Sequence, residues 1–366
     1  MKILYDNEIF IRQEYGGISR YYFELIRRLS TKPDIKIKVY KGFFINKYDL
    51  ESYRNDRLEI KGREIPTVPK TKYLIGKLQI PLFRHQYRKT NFDIFHSTYY
   101  NRIKKKSGTK HTITILDFTH EKYPEYFSRL DTTKKDKKKS AEMSDGIICI
   151  SESTKIDLLN LYKIDENKVK VIYLGNSLTS DPGNESYFKF PYILYVGDRR
   201  RYKNFKNFIK GYANSDKLKK NVKIVCFGGG TFSNEEMNLF KELKIEMLVN
   251  QTSGNDKFLA NVYKYANMFI YPSLYEGFGI PLVEAMHYGC PVIASNISSL
   301  PEVGGDAAEY FDPEDTYEIT SKMESVFEDN ELRKILINKG YEREKLFSWD
   351  KCTEETYKFY KEINGK

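Results

Sequence analysis

The sequence predicts an α/β protein with two doubly wound, Rossmann-like domains that face each other across a ligand cleft. Its 366 residues exceed the roughly 250–300 at which a single hydrophobic core stops growing. Apolar, strand-like runs alternate with helical patterns, as expected for parallel sheets covered by helices. Residues 180–184 are dense in turn-forming residues and separate two such alternations, so they are the predicted linker.

The N-terminal alternation begins with Lys2–Tyr5, a predicted strand. Gly16 and Gly17 are predicted to turn the chain into a helix over Ile18–Leu29, because apolar residues recur there at helical spacing. The other predicted strands of this half are Ile35–Tyr40, Asp93–His96, Thr112–Leu116, Gly146–Ile150 and Val169–Tyr173.

The C-terminal alternation starts after the linker and is followed by a helical tail. Ser348 is the predicted N-cap of a helix over Trp349–Tyr360. We therefore predict domains at 1–180 and 185–345, with a further helix in 346–366. The predicted strands here are Tyr192–Val196, Lys223–Phe227, Ile245–Val249, Met268–Tyr271 and Pro291–Ala294.

The composition is that of an ordinary globular protein, 40% hydrophobic and 30% charged. No apolar run approaches the roughly 20 residues of a membrane span and no signal-peptide core occurs, so a cytoplasmic protein is expected. The four cysteines lie far apart without a C-x-x-C pair, which favours free thiols in a reducing compartment. Neither an Asp-x-Asp motif nor a metal-ligand spacing of His and acidic residues occurs, so no metal site is predicted.

The charge is distributed unevenly. Residues 1–180 hold 36 Lys and Arg against 22 Asp and Glu, a net charge of +14, while residues 181–366 hold 25 against 28, a net of −3. A basic half indicates nucleic acid, an anionic membrane surface or a phosphate-bearing substrate, with a solvated lysine-rich surface as the alternative. The five lysines of Lys134–Lys139, together with Lys104–Lys106, are predicted to dock this half on an anionic membrane face.

The most informative segment holds two carboxylates, Glu276 and Glu284, on either side of Gly277-Phe278-Gly279. A predicted strand and a Pro-Ser turn precede it, and Pro281 suits the first position of a new helix. Glu284 is then predicted in the first turn of that helix and Glu276 on the loop facing its N-terminus. Such a place favours a bound anion or ligand hydroxyls, and a plain strand–loop–helix with a capping Glu is the alternative.

The segment 272–279 with Glu284 resembles the nucleotide-binding signature of retaining GT-B glycosyltransferases, specifically glycosyltransferase family 4. Seven further matches follow in the order that the family shows them, so the resemblance covers almost the whole chain. They are Gly16–Tyr21, Phe95–Tyr100, Asp117–Pro124, Tyr195–Gly197 with Lys203-Asn204, Cys226–Gly230, Tyr263-x-x-Ala266 and Phe347–Trp349.

The resemblance implies a GT-B fold, a C-terminal helix that packs on the N-terminal domain, and a site for a nucleotide diphosphate sugar. In that site Glu284 would bind the ribose hydroxyls and Glu276 would face the donor sugar. Lys203 and one of three neighbouring arginines, for which we favour Arg199, would hold the diphosphate. Backbone N–H groups of Gly16 and Gly17, and of Gly277, Phe278 and Gly279, would complete the donor contacts.

The sequence departs from the family at a catalytic position. Family members commonly carry a His-Asp pair after the strand predicted at Thr112–Leu116, whereas this chain has Leu116-Asp117 and a histidine at His120. The resemblance therefore implies Glu276, Asp117 and His120 as catalytic candidates. Either His120 reaches the place of the missing histidine or that role is lost. For His96, at the end of a strand, a catalytic and a structural role are likewise both open.

The sequence thus predicts a metal-independent, retaining glycosyltransferase that needs no cofactor besides its donor, GDP-mannose or a UDP-sugar. The expected acceptor is a glycan or lipid-linked glycan of a surface polysaccharide. Two alternatives remain: a nucleotide-sugar hydrolase or epimerase of the same fold, and a basic nucleic-acid-binding protein. The second lacks any recognised nucleic-acid-binding motif in this sequence.

Overall fold

The computed structural model describes residues 1–66, 71–101 and 103–365, without the side chains of residues 71–74 and 77. The chain divides into two compact units, Met1–Leu174 with Trp349–Lys366, and Gly175–Ser348. The first boundary therefore precedes the turn-rich residues 180–184. The predicted α/β fold class, with one parallel sheet in each of two domains, is confirmed.

The N-terminal unit contains a seven-stranded sheet in the order β3-β2-β1-β4-β5-β6-β7, in which every neighbouring pair is parallel. The strand order reverses between β1 and β4, which is the place where doubly wound sheets bind ligands. β3 was not predicted, because this edge strand is mostly exposed and charged. The strands are β1 (Lys2–Tyr5), β2 (Lys36–Phe44), β3 (Leu58–Glu64), β4 (Ile94–Ser97), β5 (Lys110–Ile115), β6 (Gly146–Cys149) and β7 (Val169–Val171).

In the described part of this unit, six α-helices lie between its strands. In α2 the buried residues recur at helical spacing and include Tyr21, Tyr22, Leu25, Ile26 and Leu29, so one face of the helix covers the sheet. The helices are α1 (Glu8–Arg12), α2 (Gly17–Leu29), α3 (Thr71–Lys89), α4 (Thr119–Lys122), α5 (Thr133–Met143) and α6 (Glu152–Tyr162).

The C-terminal unit contains a six-stranded parallel sheet in the order β10-β9-β8-β11-β12-β13. Its order reverses between β8 and β11. The strand predicted at Ile245–Val249 is wrong in its bounds, because a short 3₁₀ helix occupies Glu246–Leu248 and the strand starts at Val249. The strands are β8 (Tyr192–Val196), β9 (Lys223–Phe227), β10 (Val249–Thr252), β11 (Met268–Tyr271), β12 (Val292–Ser295) and β13 (Ala308–Phe311).

Eight helices flank this second sheet, and the core between them is built from buried aliphatic and aromatic side chains. They are α7 (Phe205–Ala213), α8 (Asp216–Asn221), α9 (Asn234–Glu242), α10 (Asp256–Lys264), α11 (Ile280–His287), α12 (Leu300–Gly304), α13 (Thr316–Glu328) and α14 (Asn330–Glu344).

The last helix, α15 (Trp349–Asn364), belongs to the N-terminal unit and packs on α2. Tyr360 is fully buried, and its hydroxyl lies 2.9 Å from that of Tyr5 at the end of β1. Lys32, just beyond α2, donates to Glu354 at 2.6 Å. An apolar face and an ion pair thus hold α15 on this unit.

The four cysteines are buried free thiols, as the sequence predicted. Burial raises the pKa of each, so these thiols are protonated at neutral pH. Within the described part of the chain, no helix is both long enough and apolar enough to cross a membrane.

Candidate functional site

An ion pair lies where the strand order of the C-terminal sheet reverses. The loop after β8 carries Lys203 and the loop after β11 carries Glu276, and β8 and β11 are neighbours in the sheet. The Lys203 Nζ lies 2.7 Å from Glu276 Oε1, with side chains that are 19% and 12% exposed. The structure therefore brings two of the predicted site residues into direct contact at the expected place for a ligand.

The surroundings keep Lys203 charged. Ser273 donates to Glu276 Oε1 at 2.6 Å, and Lys203 Nζ lies 5.6 Å from the ring centroid of Tyr271. Burial lowers the pKa of Lys203, but Glu276 together with Tyr271 and Tyr202 outweighs burial and holds this pKa well above its usual value. An ammonium has three donors, so Lys203 can bond Glu276 and still bind an anionic ligand.

The loop that carries Glu276 is fixed by two serines from the segment after β12. Ser298 Oγ accepts from Glu276 N at 3.0 Å, and Ser299 Oγ lies 2.9 Å from both Glu276 O and Phe278 O. The Phe278 side chain is buried and packs edge-on against Phe347. The loop conformation is therefore set by the protein itself.

Gly279 is required where this loop enters α11. Its φ of +103° lies in the region that favours glycine, and a Cβ there would lie 2.9 Å from Leu300 Cδ2. Pro281 then follows within the first two positions of the helix, where a missing N–H leaves no intrahelical bond unmade. The Gly-x-Pro spacing of the sequence thus forms the expected turn into a helix.

Glu284 lies on α11 and is oriented by a tyrosine. The prediction of Glu284 in the first helical turn is wrong: α11 starts at Ile280 and its first turn holds no acidic residue. Glu284 is 8% exposed, and its Oε2 accepts from the Tyr263 hydroxyl of α10 at 3.1 Å. Burial, and next the charge of Glu284, raise the pKa of Tyr263 well above its usual value, so its hydroxyl stays a donor. The role of Tyr263 was missed in the sequence, although its Tyr263-x-x-Ala266 motif was noted.

Arg199 disagrees with its predicted role as a phosphate ligand. Its side chain is 2% exposed and its Nε donates to Glu236 at 2.6 Å. Its terminal nitrogens donate to the carbonyls of Gly228 at 2.9 Å and Gly230 at 3.0 Å. The guanidinium is therefore committed to holding the glycine loop after β9, and a run of three arginines does not reveal which one turns inward.

The backbone conformation of the loop after β9 requires glycine at three successive positions. Gly228, Gly229 and Gly230 have φ values of +82°, +70° and +73°. A Cβ on Gly229 would lie 2.8 Å from the carbonyl oxygen of Gly197, which follows β8. The loops after β8 and β9 therefore approach each other through backbone atoms.

In the N-terminal unit, Gly16 is the N-cap of α2 and Gly17 its first residue. A Cβ on Gly16 would lie 2.5 Å from Gln13 Oε1, whereas one on Gly17 would meet no atom within 4 Å. Gln13 Oε1 in turn accepts from Ser19 N at 3.0 Å. One backbone donor at the start of α2 is thus already used by the protein.

Asp117 and His120 lie in the segment after β5. Asp117 Oδ1 accepts from Thr119 N at 2.9 Å, and the His120 ring stacks on Phe127 with centroids 3.8 Å apart. His120 Nε2 lies 3.6 Å from Asp131 Oδ2. Burial and then the charge of Lys137 lower the pKa of His120, so its imidazole is neutral at pH 7.

His96 has a structural role. It is fully buried at the end of β4, where its ring nitrogens bond Tyr360 and, at 3.0 Å, Thr114 Oγ1. Burial lowers its pKa to about 3, which keeps the imidazole neutral within the core. Elsewhere in the described residues, His, Cys, Asp and Glu form no group of three or more suited to hold a metal ion.

Comparison with known proteins matches both units. Residues 15–179 match the family described as Glycosyltransferase Family 4, and residues 179–343 match the family described as Glycosyl transferases group 1. O-antigen chain mannosyltransferase B of Escherichia coli is 27% identical over 390 residues, which cover 99% of this chain and all of that protein.

Solved structures share the fold at low sequence identity. Sucrose-phosphate synthase of Thermosynechococcus elongatus has a TM-score of 0.77 at 19% identity and covers 99% of each chain. HepE of Anabaena, solved in complex with UDP-glucose, has a TM-score of 0.74 at 14% identity over 99% of this chain and 100% of that chain. The resemblance found in the sequence is confirmed, and the chain belongs to glycosyltransferase family 4 of the GT-B glycosyltransferases.

Proposed function

We propose that this glycosyltransferase moves a hexosyl unit, with retained anomeric configuration, from a nucleotide diphosphate sugar to a glycan or lipid-linked glycan in surface polysaccharide synthesis. The observation that carries the donor assignment is the contact between Lys203 and Glu276 at the reversal point of the C-terminal sheet. An ammonium suits the diphosphate, and a carboxylate beside it suits the hydroxyls of the attached sugar.

Glu284 is assigned to the ribose of the donor. A carboxylate offers about four acceptor sites on two oxygens, so Glu284 can accept from Tyr263 and still accept from two vicinal hydroxyls. The backbone N–H groups of 277–279 complete the proposed donor contacts. Asp117 and His120 are kept as catalytic candidates, and Gly16 and Gly17 as backbone donors, on the family resemblance alone.

The proposed reaction needs no metal ion. As the diphosphate leaves, Lys203 and the positive dipole end of α11 would stabilise the developing negative charge. Activity that survives an excess of EDTA supports this assignment. Activity that EDTA abolishes and Mg²⁺ or Mn²⁺ restores contradicts it.

GDP-mannose and UDP-sugars are the proposed donors. A relative over the full length is named a mannosyltransferase, and a structure of the same fold was solved with UDP-glucose. A thermal-shift panel of UDP, GDP and ADP tests the nucleotide, because a ligand at about 100 times its Kd stabilises by roughly 2.7 kcal/mol. The matched control is Glu284→Ala, which should shift less with the same nucleotide. If none of the three nucleotides stabilises the wild type, the donor assignment is wrong.

Transfer is distinguished from hydrolysis by the fate of the sugar. Incubation with GDP-mannose or UDP-glucose alone should release little free sugar, and octyl mannoside or octyl glucoside should accelerate release of the nucleoside diphosphate. Rapid release of free sugar without acceptor would favour the nucleotide-sugar hydrolase of the same fold.

We also propose that the protein is cytoplasmic and docks on the inner face of the membrane through basic residues of its N-terminal unit. Lys104–Lys106 line a cavity of about 520 Å³ together with Arg84 and Arg88 of α3. On the same helix Leu78 is 65% exposed. Lys137, which was predicted to take part, is buried and is excluded from this surface.

Sedimentation with vesicles tests the docking surface. The wild type should pellet with anionic phosphatidylglycerol vesicles at low salt, and less at high salt, because the attraction is about 1 kcal/mol per basic residue and is screened. A variant with Arg84, Arg88 and Lys104 changed to Gln should pellet less. Equal pelleting of the two proteins, or none by the wild type, would contradict the proposal.

A further inference from the structure

One lysine of the Lys134–Lys139 run is buried. Lys137 of α5 and Glu121 of α4 form an ion pair at 2.8 Å in which both side chains are only 1% exposed. The neighbouring Lys135 and Lys138 are exposed. Within the run, Lys137 therefore faces inward while its neighbours lie in solvent.

The Lys137 ammonium ties down both ends of the segment that carries two catalytic candidates. It donates to the backbone carbonyl of Asp117 at 2.7 Å and to the Glu121 carboxylate. It also lies 4.8 Å from the ring centroid of Phe118, a cation–π distance. One charge thus contacts both ends of 117–121, the segment that includes His120.

The carboxylate of this pair is held from a third element. Glu121 Oε1 accepts from the hydroxyl of Tyr162, the last residue of α6, and that hydroxyl also lies 3.2 Å from the carbonyl oxygen of Lys134. Helices α4, α5 and α6 therefore meet at one buried ion pair. We name Lys137, Glu121 and Tyr162 the buried clamp.

Stability alone does not account for a buried pair of charges. Two charges lose hydration on burial, and apolar side chains of similar volume are often as stabilising or more so. The specific consequence of the clamp is geometric, because its bonds fix a backbone carbonyl as well as a side chain.

We propose that Lys137 is a positioning residue for glycosyl transfer, which holds the segment 117–121 in the conformation that the reaction needs. The inference rests on the proposed function, in which Asp117 and His120 act in catalysis. Lys137 itself is not expected to touch the donor, since its ammonium is enclosed by Asp117, Glu121 and Phe118.

The test replaces both charges together. Lys137→Met alone would leave the Glu121 carboxylate buried without its cation and could prevent folding. The double variant Lys137→Met/Glu121→Met keeps the volume and removes both charges, and the Lys134 carbonyl remains as an acceptor for Tyr162. Glu142→Met, which changes an exposed carboxylate on the same helix, is the matched control.

Three measurements are compared between wild type, double variant and control. They are the kcat and KM for release of nucleoside diphosphate from GDP-mannose or UDP-glucose, the Kd of GDP and UDP, and the hydrogen–deuterium exchange of the amides of 118–122. We expect kcat to fall at least tenfold in the double variant, with KM and Kd within twofold of wild type and faster exchange at 118–122. The control should match the wild type in all three.

The outcomes separate the two proposals. If the double variant keeps a wild-type kcat, or if its exchange at 118–122 is unchanged, Lys137 is not a positioning residue. If kcat/KM falls only because KM and Kd rise, the variant binds its donor less well, and this outcome also contradicts a positioning role for Lys137. If the wild type binds neither nucleotide and releases none from either donor, the proposed function fails instead, while the exchange measurement still tests whether the clamp holds the segment.

Discussion

The two sheets have the same strand order up to the reversal point, yet the carboxylates there are held in different ways. In the N-terminal unit Asp6 follows β1, is fully buried, and accepts from Thr98 N at 2.9 Å, Ser97 Oγ at 2.8 Å and Asn101 Nδ2 at 2.6 Å, besides the Thr98 hydroxyl. In the C-terminal unit Glu276 is partly exposed and is bound by Lys203 and Ser273. Topology therefore provides the location in both sheets, and the loop residues decide its use.

The difference lies in what each carboxylate has left to offer. Neutral donors from the last residue of β4 and from the loop after it saturate Asp6, so this group joins β1 to β4 as part of the core. Glu276 is joined to an ammonium that retains further donors, and both side chains reach solvent. We infer that the first arrangement contributes mainly to stability and the second mainly to ligand binding.

The largest effect should come from removing the saturated carboxylate. Asp6→Ala leaves the buried Thr98 N without its acceptor and removes one acceptor from the side chains of Ser97, Thr98 and Asn101. At about 1–3 kcal/mol for a buried polar group left unsatisfied, we expect the free energy of unfolding of the N-terminal unit to fall by roughly 3–5 kcal/mol. Glu276→Gln should cost about 1 kcal/mol or less in its own unit, because the Gln amide oxygen can still accept from Lys203. Trp349, the single tryptophan, lies in the N-terminal unit, so its fluorescence in urea reports on Asp6→Ala. Unfolding of Glu276→Gln is followed by circular dichroism. Equal losses of unfolding free energy in the two variants would show that the two carboxylates do not differ in their contribution to stability.

A pH dependence should distinguish Asp6 as well. Burial, and next the charge of Glu8, raise the pKa of Asp6 to about 6, so the folded state binds a proton that the unfolded chain has lost above about pH 4. The stabilising contribution of this protonation is present below pH 4 and is lost as the pH rises through 6. At about 1.4 kcal/mol per pKa unit, the advantage of wild type over Asp6→Asn should fall by about 2–3 kcal/mol across this range. The unfolding free energies of both proteins are measured by Trp349 fluorescence. If their difference is the same at every pH, the predicted role of Asp6 protonation is contradicted.

Lys203 should matter for the ligand rather than for the fold. Lys203→Ala removes a charge-assisted hydrogen bond of about 1.5–3 kcal/mol, so the Kd of GDP or UDP should rise ten- to hundredfold by calorimetry. Lys217→Ala is the control, since this lysine is 46% exposed and paired with Glu328, away from the proposed site. The assignment fails if the two variants bind the nucleotide equally well.

The smallest effect concerns the orientation of Glu284. Tyr263→Phe removes the hydroxyl that bonds Glu284, so we expect a threefold to tenfold rise in nucleotide Kd, about 0.7–1.4 kcal/mol. Tyr212→Phe is the matched control, because its buried hydroxyl donates to the Val222 carbonyl in the same unit. An equal rise in Kd for both variants would show that Tyr263 contributes only to stability.

The sequence predicted the elements that carry a continuous apolar run. The bounds of β1, β8, β9 and β11 agree with the prediction to the residue, because strands buried on both faces have an unmistakable pattern. The edge strand β3 was missed, since its residues face solvent and carry charge. A pattern of apolar residues indicates which segments are buried, and most residues of this edge strand are exposed.

The candidate site was predictable where its residues lie within one local motif. Glu276, Gly279 and Glu284 fall on one loop and helix, as predicted apart from the helical turn of Glu284. The inward orientation of Arg199 and Lys137 depends on partners distant in the chain, Glu236 and Glu121. In runs of like residues no local feature marks the member that finds such a partner.

The location of α15 has a consequence for the order in which the protein is made. The N-terminal unit is synthesised first, but its cover over β1 and α2 comes from residues translated after the whole of Gly175–Ser348. During synthesis the second unit has all its residues before the first, so it can complete folding on the ribosome while the first unit still exposes apolar surface. A nascent chain stalled before Trp349 should therefore display the aromatic side chains of that surface to chaperones.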